Sequence, residues 1–213
     1  MNIHVDNLSL VYDGHSLFEN VSFEVESGQK YCINGPSGYG KSSIFKAMLG
    51  FIRPQQGTIY INNVPVNDKT VWQVRRSIAY VTQEPDLGQQ VVLDRIRRPF
   101  GYKANAHLEW KTEAVQEWFK RFNLPEKLLS KQTTELSGGE KQRIAIIIAL
   151  LLDRPVLLLD EPASALDKQS KQILRTVLSE SKKTIVFISH EDALLDLADA
   201  TLELAPAGGR RDE

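Results

Sequence analysis

One cysteine, Cys32, is all the sulfhydryl chemistry that 213 residues contain. No disulfide can form within the chain, and a reducing compartment is expected. Cys32 stands between Tyr31 and Ile33 in an expected strand, so it reads as a buried packing thiol. Long hydrophobic runs are absent as well. The longest mostly apolar stretch, Ile144–Leu152, falls far short of the ~20 residues that cross a bilayer as a helix. The Met1 end lacks a signal-peptide core. The chain is therefore expected in the cytoplasm, with any membrane connection made through another polypeptide. Excess charge is missing too. Lys and Arg number 26 against 27 Asp and Glu, a net charge of −1, which leaves no bulk electrostatic footprint for nucleic acid. The pairs Arg75-Arg76, Arg97-Arg98 and Lys182-Lys183 read as solvated faces.

What is present is ordinary for a soluble globular protein: 42% hydrophobic and 25% charged residues. The length fits one domain, 1–213, with room for an inserted subdomain. Ile3/Val5 and Val21/Phe23/Val25 alternate with polar residues, as strands do. Further strands are expected at Lys30–Asn34, Thr58–Ile61, Ile78–Val81, Val156–Leu159, Thr184–Ile188 and Thr201–Leu204. Ser42 to Leu49 reads as a helix stopped by Gly50, and Lys168–Glu180 as another. Between about 85 and 152 the pattern turns helical. Val115, Trp118, Phe119 and Phe122 fall at helical spacing there, which marks them as core. Strand–helix alternation on both sides of that insert implies a parallel-sheet α/β core carrying a helical subdomain. No internal repeat appears, and the tail 206–213 is expected to fray.

The chemistry concentrates at five places. Gly35, Pro36, Ser37, Gly38, Tyr39, Gly40, Lys41 and Ser42 fit the phosphate-loop template, between an expected strand and an expected helix. In such a loop backbone N–H groups cradle phosphate oxygens. Lys41 supplies a point charge to the β- and γ-phosphates, and the Ser42 hydroxyl coordinates Mg²⁺. The apolar strand Val156–Leu159 runs into Asp160-Glu161, and functional groups of parallel sheets gather at the carboxyl ends of strands. Asp160 is placed to hold Mg²⁺ through water, and Glu161 to act as general base toward the attacking water. His190 follows the strand Thr184–Ile188, where it can contact the γ-phosphate and hold the geometry of water and Glu161. Gln83 ends the Ile78–Val81 segment and can reach Mg²⁺ or that water. Finally, Ser137-Gly138-Gly139-Glu140 precedes an apolar run from Ile144, read as a helix beginning there. A helix start with a small polar residue is an anion site. Capping accounts for Ser137 and Glu140 but leaves two adjacent glycines unexplained.

Leu136–Arg143, LSGGEKQR, resembles the signature of the ABC ATPases, and the likeness extends over nearly the whole chain. Gly35–Ser42 is similar to the Walker A loop, Gln83 to the Q-loop, Val156–Glu161 to Walker B, Ser164–Asp167 to the D-loop and His190 to the switch histidine. Tyr12 matches the aromatic that stacks on adenine in that family, and Asp167 joins the nucleotide-binding set. The resemblance implies a P-loop NTPase of the RecA-like type with an N-terminal antiparallel β subdomain and an inserted α-helical subdomain. It implies hydrolysis of Mg-ATP by two copies stacked head to tail. Each ATP is then held between the phosphate loop of one copy and Ser137/Gly139 of the other. It also implies an integral membrane permease as partner, on the cytoplasmic side, facing Gln83 and the segment 84–101, with Leu87 accessible to it.

Departures from the family pattern are few. Ser43 stands where threonine is common, Tyr39 is bulkier than the usual loop residue, and Ile148 replaces an arginine of the helix after the signature. Arg121–Pro125 leading to the signature, in so short a chain, is similar to small bacterial ATPase subunits of metal or iron exporters. Two other classes stay open at this point: a soluble ABC ATPase serving as an assembly factor, and a non-catalytic ATP-gated regulatory subunit. The absence of long coiled-coil insertions and the neutral charge weigh against the first, and Glu161 with His190 against the second.

Overall fold

Parallel strands buried on both faces explain the short apolar runs at Val156–Leu159 and Thr184–Ile188, while the longest, Ile144–Leu152, lies mostly in a helix. The computed structural model describes residues 1–12 and 15–204, with Tyr12 and His15 described by backbone alone. The 206–213 tail and the Tyr12 ring therefore lie outside the described residues. Strands β3 (Lys30–Asn34), β6 (Ile78–Val81), β7 (Val156–Asp160), β8 (Thr184–Ile188) and β9 (Ala200–Glu203) form a sheet in the order β6-β7-β8-β3-β9, all pairs parallel. The bounds expected for β3, β6 and β8 are those observed, and β7 runs one residue further to take in Asp160. Every residue of β7 and β8 is buried, the condition under which strands need no polar alternation.

Side-chain parity sorts the two faces. Leu157, Leu159, Ile185 and Phe187 join a core shared with the helical side of the molecule. Val156, Leu158, Val186 and Ile188 join the other, against the N-terminal strands. That second layer is the antiparallel sheet β2-β1-β4-β5, made of β1 (Ile3–Tyr12), β2 (His15–Val25), β4 (Gln56–Ile61) and β5 (Val64–Pro65). Helix α1 (Lys41–Met48) lies in that core through Ile44, Phe45 and Met48. The short helix α2 (Val71–Arg75) leads directly into β6. Arg75 is not the free surface cation expected. Its guanidinium sits 4.3 Å from the Phe51 ring and 5.0 Å from that of Trp72, and its Nε donates to Leu49 O at 2.7 Å.

Between β6 and β7 come α3 (Val92–Arg97), α4 (Thr112–Arg121), α5 (Gly138–Leu151) and several 3-10 turns. Val115, Phe119 and Phe122 are fully buried as the helical spacing predicts. Trp118 is only partly buried and packs at the edge, its ring beneath Arg121. Helix α5 starts at Gly138, earlier than the apolar run suggested, so both signature glycines belong to its first turn. Helix α6 (Lys168–Glu180) precedes β8, and α7 (Asp192–Leu195) precedes β9. Among the described residues no helix is long and apolar enough to cross a membrane.

Candidate functional site

The loop from Gly35 to Gly40 joins β3 to α1 and forms one wall of a cavity of about 430 Å³. Gly40 is the residue before the helix, at φ +82°, a left-handed conformation that a side chain resists. A Cβ there would also press to 3.0 Å from Leu17 Cβ. No side chain caps α1, so its leading amides are left for a ligand. Lys41 is buried, and its Nζ donates to Gly35 O at 2.6 Å and Pro36 O at 2.9 Å. An ammonium satisfied only by loop carbonyls is held inside the loop and can exchange them for an anion's oxygens.

Ser37, Gly38, Gly40, Lys41, Ser42 and Ser43 line the cavity. Gly35, Pro36 and Tyr39 shape the loop without lining it, Tyr39 packing into the N-terminal core. From the sheet come Asp160 and Glu161, and from beyond β6 comes Gln83. Lys46 lines it too. It follows Ser42 by about one helical turn, a basic i+4 signal that the sequence reading passed over.

Asp160 is 5% exposed, and its Oδ1 is buried with no hydrogen-bond partner. An orphaned carboxylate oxygen costs free energy unless something pairs with it. Ser42, Gln83 and Asp160 thus present hydroxyl, amide and carboxylate oxygens to one cavity, a donor set that suits Mg²⁺ shared with a nucleotide's phosphates. Glu161 follows at φ +45°, an uncommon conformation for a residue with a side chain. Its N–H is fixed by Ile188 O at 2.9 Å. Burial raises the Glu161 carboxyl above the usual glutamate range, against the opposing pull of His190 and Lys41. His190 Nε2 stands 3.5 Å from Glu161 Oε1, with the imidazole half exposed.

Ser137–Glu140 lie elsewhere and do not line this cavity. Ser137 caps α5 in a reciprocal capping box with Glu140. The Ser137 N–H donates to Glu140 Oε2 at 2.8 Å, and the Glu140 N–H to Ser137 Oγ at 3.3 Å. Burial opposes ionisation of Glu140, but hydrogen bonds from Ser137 outweigh it and lower the carboxyl. The two glycines differ. A Cβ on Gly139 would come 2.8 Å from Ala165 O, whereas one on Gly138 would meet only Ala165 Cβ, at 3.9 Å. Contacts within the chain therefore explain Gly139 and leave Gly138 free and exposed. Asp167 caps α6, accepting from Ser170 N at 2.8 Å and Ser170 Oγ at 2.9 Å. Those bonds lower its carboxyl, and Arg143 Nη1 lies 3.7 Å away. Its visible work is to tie α6 to the signature helix.

A second cavity, about 250 Å³, opens beside the Gln83 segment, between β6 and α5. Ile148 lines it with Ala145, Pro85 and Arg95, so the arginine-to-isoleucine departure makes this wall apolar. Leu87 also lines it but is 4% exposed and belongs to the helical-side core. The expectation of an accessible Leu87 is corrected: Leu87 is buried, while Glu84 and Asp86 are among its exposed neighbours.

A strand, a glycine loop on a helix start, a buried lysine and two carboxylates at the end of β7, two places along the same sheet, define a P-loop nucleotide-binding ATPase. The ABC transporter family matches residues 18–164, and the chain belongs to that family as an ATP-binding cassette. It is 29% identical to the probable iron export ATP-binding protein FetA of Escherichia coli K12, over 99% of this chain and 94% of that one. It is 32% identical to the energy-coupling factor transporter ATP-binding protein EcfA1 of Mycoplasmopsis synoviae, over 99% and 84%. A bacterial Atm1-family ABC exporter with ATP bound superposes with a TM-score of 0.85 at 26% identity, over 96% of this chain and 37% of that one. The ATP-binding cassette MJ0796, a dimer bound to ADP and Pi in a post-hydrolysis state, gives 0.79 at 26%, over 95% and 94%.

Proposed function

We propose that this chain is the ATP-binding subunit of a transporter whose permease is a separate membrane polypeptide, with iron or another metal ion as exported cargo. The full-length likeness to the iron-export subunit supports the cargo. In this reading 1–213 is one cassette, the segment of about 85–152 is its helical part, and the subunit works on the cytoplasmic face of the membrane. The cavity beside Gln83, apolar at Ile148 and Ala145, is the surface for the permease.

One observation carries the catalytic reading. Lys41, Asp160 and a Glu161 with a raised pKa share a single cavity. Loop amides and Lys41 bind the phosphates, and Tyr12 stacks on the adenine. Ser42, Gln83 and Asp160 hold Mg²⁺, which when bound offsets charge on the phosphate oxygens. Glu161 orients the attacking water and accepts its proton, while His190 fixes the Glu161 carboxyl and reaches toward the γ-phosphate. Ser137–Glu140 stand outside the cavity and Gly138 is unexplained by its own chain. A second copy therefore supplies that helix start to the nucleotide, as in a head-to-tail dimer, and Asp167 holds α5 and α6 at that junction. Mg-ATP turnover tests the assignment. Glu161→Gln should lower it by roughly 10²–10⁴-fold, the usual contribution of a positioned general base, and full activity in that variant would reject Glu161 as base.

A further inference from the structure

Arg95 of α3 lines the cavity beside the Gln83 segment and belongs to none of the motifs assigned above. Its surroundings there are largely aliphatic, with Leu87, Ala145, Ile148 and Leu152 in the same lining. The Arg95 Nε is buried with no hydrogen-bond partner. Among the described residues no carboxylate forms an ion pair with the guanidinium. Asp86 lines the cavity too, but its Oδ1 accepts from the Gly88 N–H at 2.7 Å and the residue is exposed. Ile148 stands where the family's helix carries arginine, so the cavity's cation comes from α3 instead of α5.

A guanidinium half shielded by aliphatic side chains attracts an anion more strongly than one on an open surface. The sealed Nε cannot be reached from outside. The two terminal amino groups, for which the described residues offer no partner, are the end that a carboxylate can grip at two points. Aliphatic walls disfavour a free, strongly hydrated anion and suit a carboxylate carried among apolar side chains. We propose that an aspartate or glutamate of the permease's cytoplasmic segment enters this cavity and pairs with Arg95. The inference rests on the permease reading above and adds the chemistry of the contact: one acid set in an aliphatic stretch.

The test uses the tagged full chain, purified in detergent together with the membrane-spanning polypeptide that accompanies it from its own cells. Arg95→Lys keeps the charge and supplies an amine, which a water-soluble carbodiimide joins directly to a touching carboxylate. Mass spectrometry should find position 95 linked to an Asp or Glu in a cytoplasmic segment of that polypeptide. Arg95→Met, neutral and of similar reach, should retain at least roughly tenfold less of it, since losing one member of a shielded ion pair is costly. The same variant should melt no lower than the unsubstituted chain, because it removes a buried donor that has no partner. Undiminished retention in Arg95→Met, a lowered melting temperature, or links from position 95 that are absent or reach only Asp86 of the same chain would overturn the Arg95 contact while leaving the permease reading intact. If the unsubstituted chain brings down no membrane-spanning polypeptide, the permease reading fails and this inference with it.

Discussion

His190 and Glu161 face each other across the ends of two neighbouring strands, Nε2 to Oε1 at 3.5 Å. Each is one or two residues past a fully buried strand, so the rigid sheet sets their separation. The carboxyl is raised chiefly by burial, and a raised value on an acid means that folding favours its neutral form. Between the ordinary glutamate pKa and the raised one, the native state binds more protons than the unfolded state. Stability of the nucleotide-free protein must then fall as pH rises through that window. Glu161→Gln should raise the melting temperature at neutral pH, with the gain fading toward the ordinary glutamate range. Calorimetry across pH checks this, and a gain that grew on acidification would show the sign to be wrong.

Lys41 tests the loop. With its Nζ held by the Gly35 and Pro36 carbonyls, Lys41→Ala removes the cation that would meet the phosphates and leaves two acceptors unpaired. Titration with Mg-ATP should show binding lost. Unchanged affinity would mean that this loop is not the nucleotide site.

Gly138 and Gly139 should part company on substitution. Gly139→Ala forces Cβ toward Ala165 O, 2.8 Å away, and should destabilise the isolated chain. Gly138→Ala meets no such obstacle and should leave it as stable, or firmer by up to about 1 kcal/mol from helix propensity. Yet it should weaken ATP-driven pairing. Thermal melts read the first effect and sedimentation with ATP the second. Normal pairing in Gly138→Ala would remove the reason given for that glycine.

Much of this was legible in sequence for a physical reason. Two-sided burial writes itself as an apolar run, so β3, β6, β7 and β8 and the groups at their carboxyl ends could be located. Phosphate loops need glycines and lysine at set intervals, which is a one-dimensional signal. Contacts between strands are not. Tyr80 meets Asp160 only once β6 and β7 are in register, and Arg75 meets Phe51 and Trp72 only after folding. The start of α5 was hidden because glycines weaken helix propensity where the capping box begins the helix. Leu87 lies in a loop beside Gln83 whose sequence carries no periodicity to mark which side chains turn into the core.

The exposed side of that segment can be probed directly. Cysteines at Glu84 or Asp86 should cross-link to the permease in membranes containing both proteins, without loss of stability. Leu87→Ala, emptying a buried position, should cost about 2–5 kcal/mol. Cross-links confined to soluble proteins would favour an assembly factor over a transporter subunit.

The pairing of two cassettes around ATP is most directly tested by light scattering on Glu161→Gln. With hydrolysis blocked and binding intact, Mg-ATP should convert monomer to a symmetric dimer in which Ser137 of each copy meets nucleotide held by Lys41 of the other. Adding Ser137→Arg should return it to monomer by setting bulk and charge against the opposing loop. A Glu161→Gln protein that binds Mg-ATP yet stays monomeric, even with its permease present, would contradict the shared site.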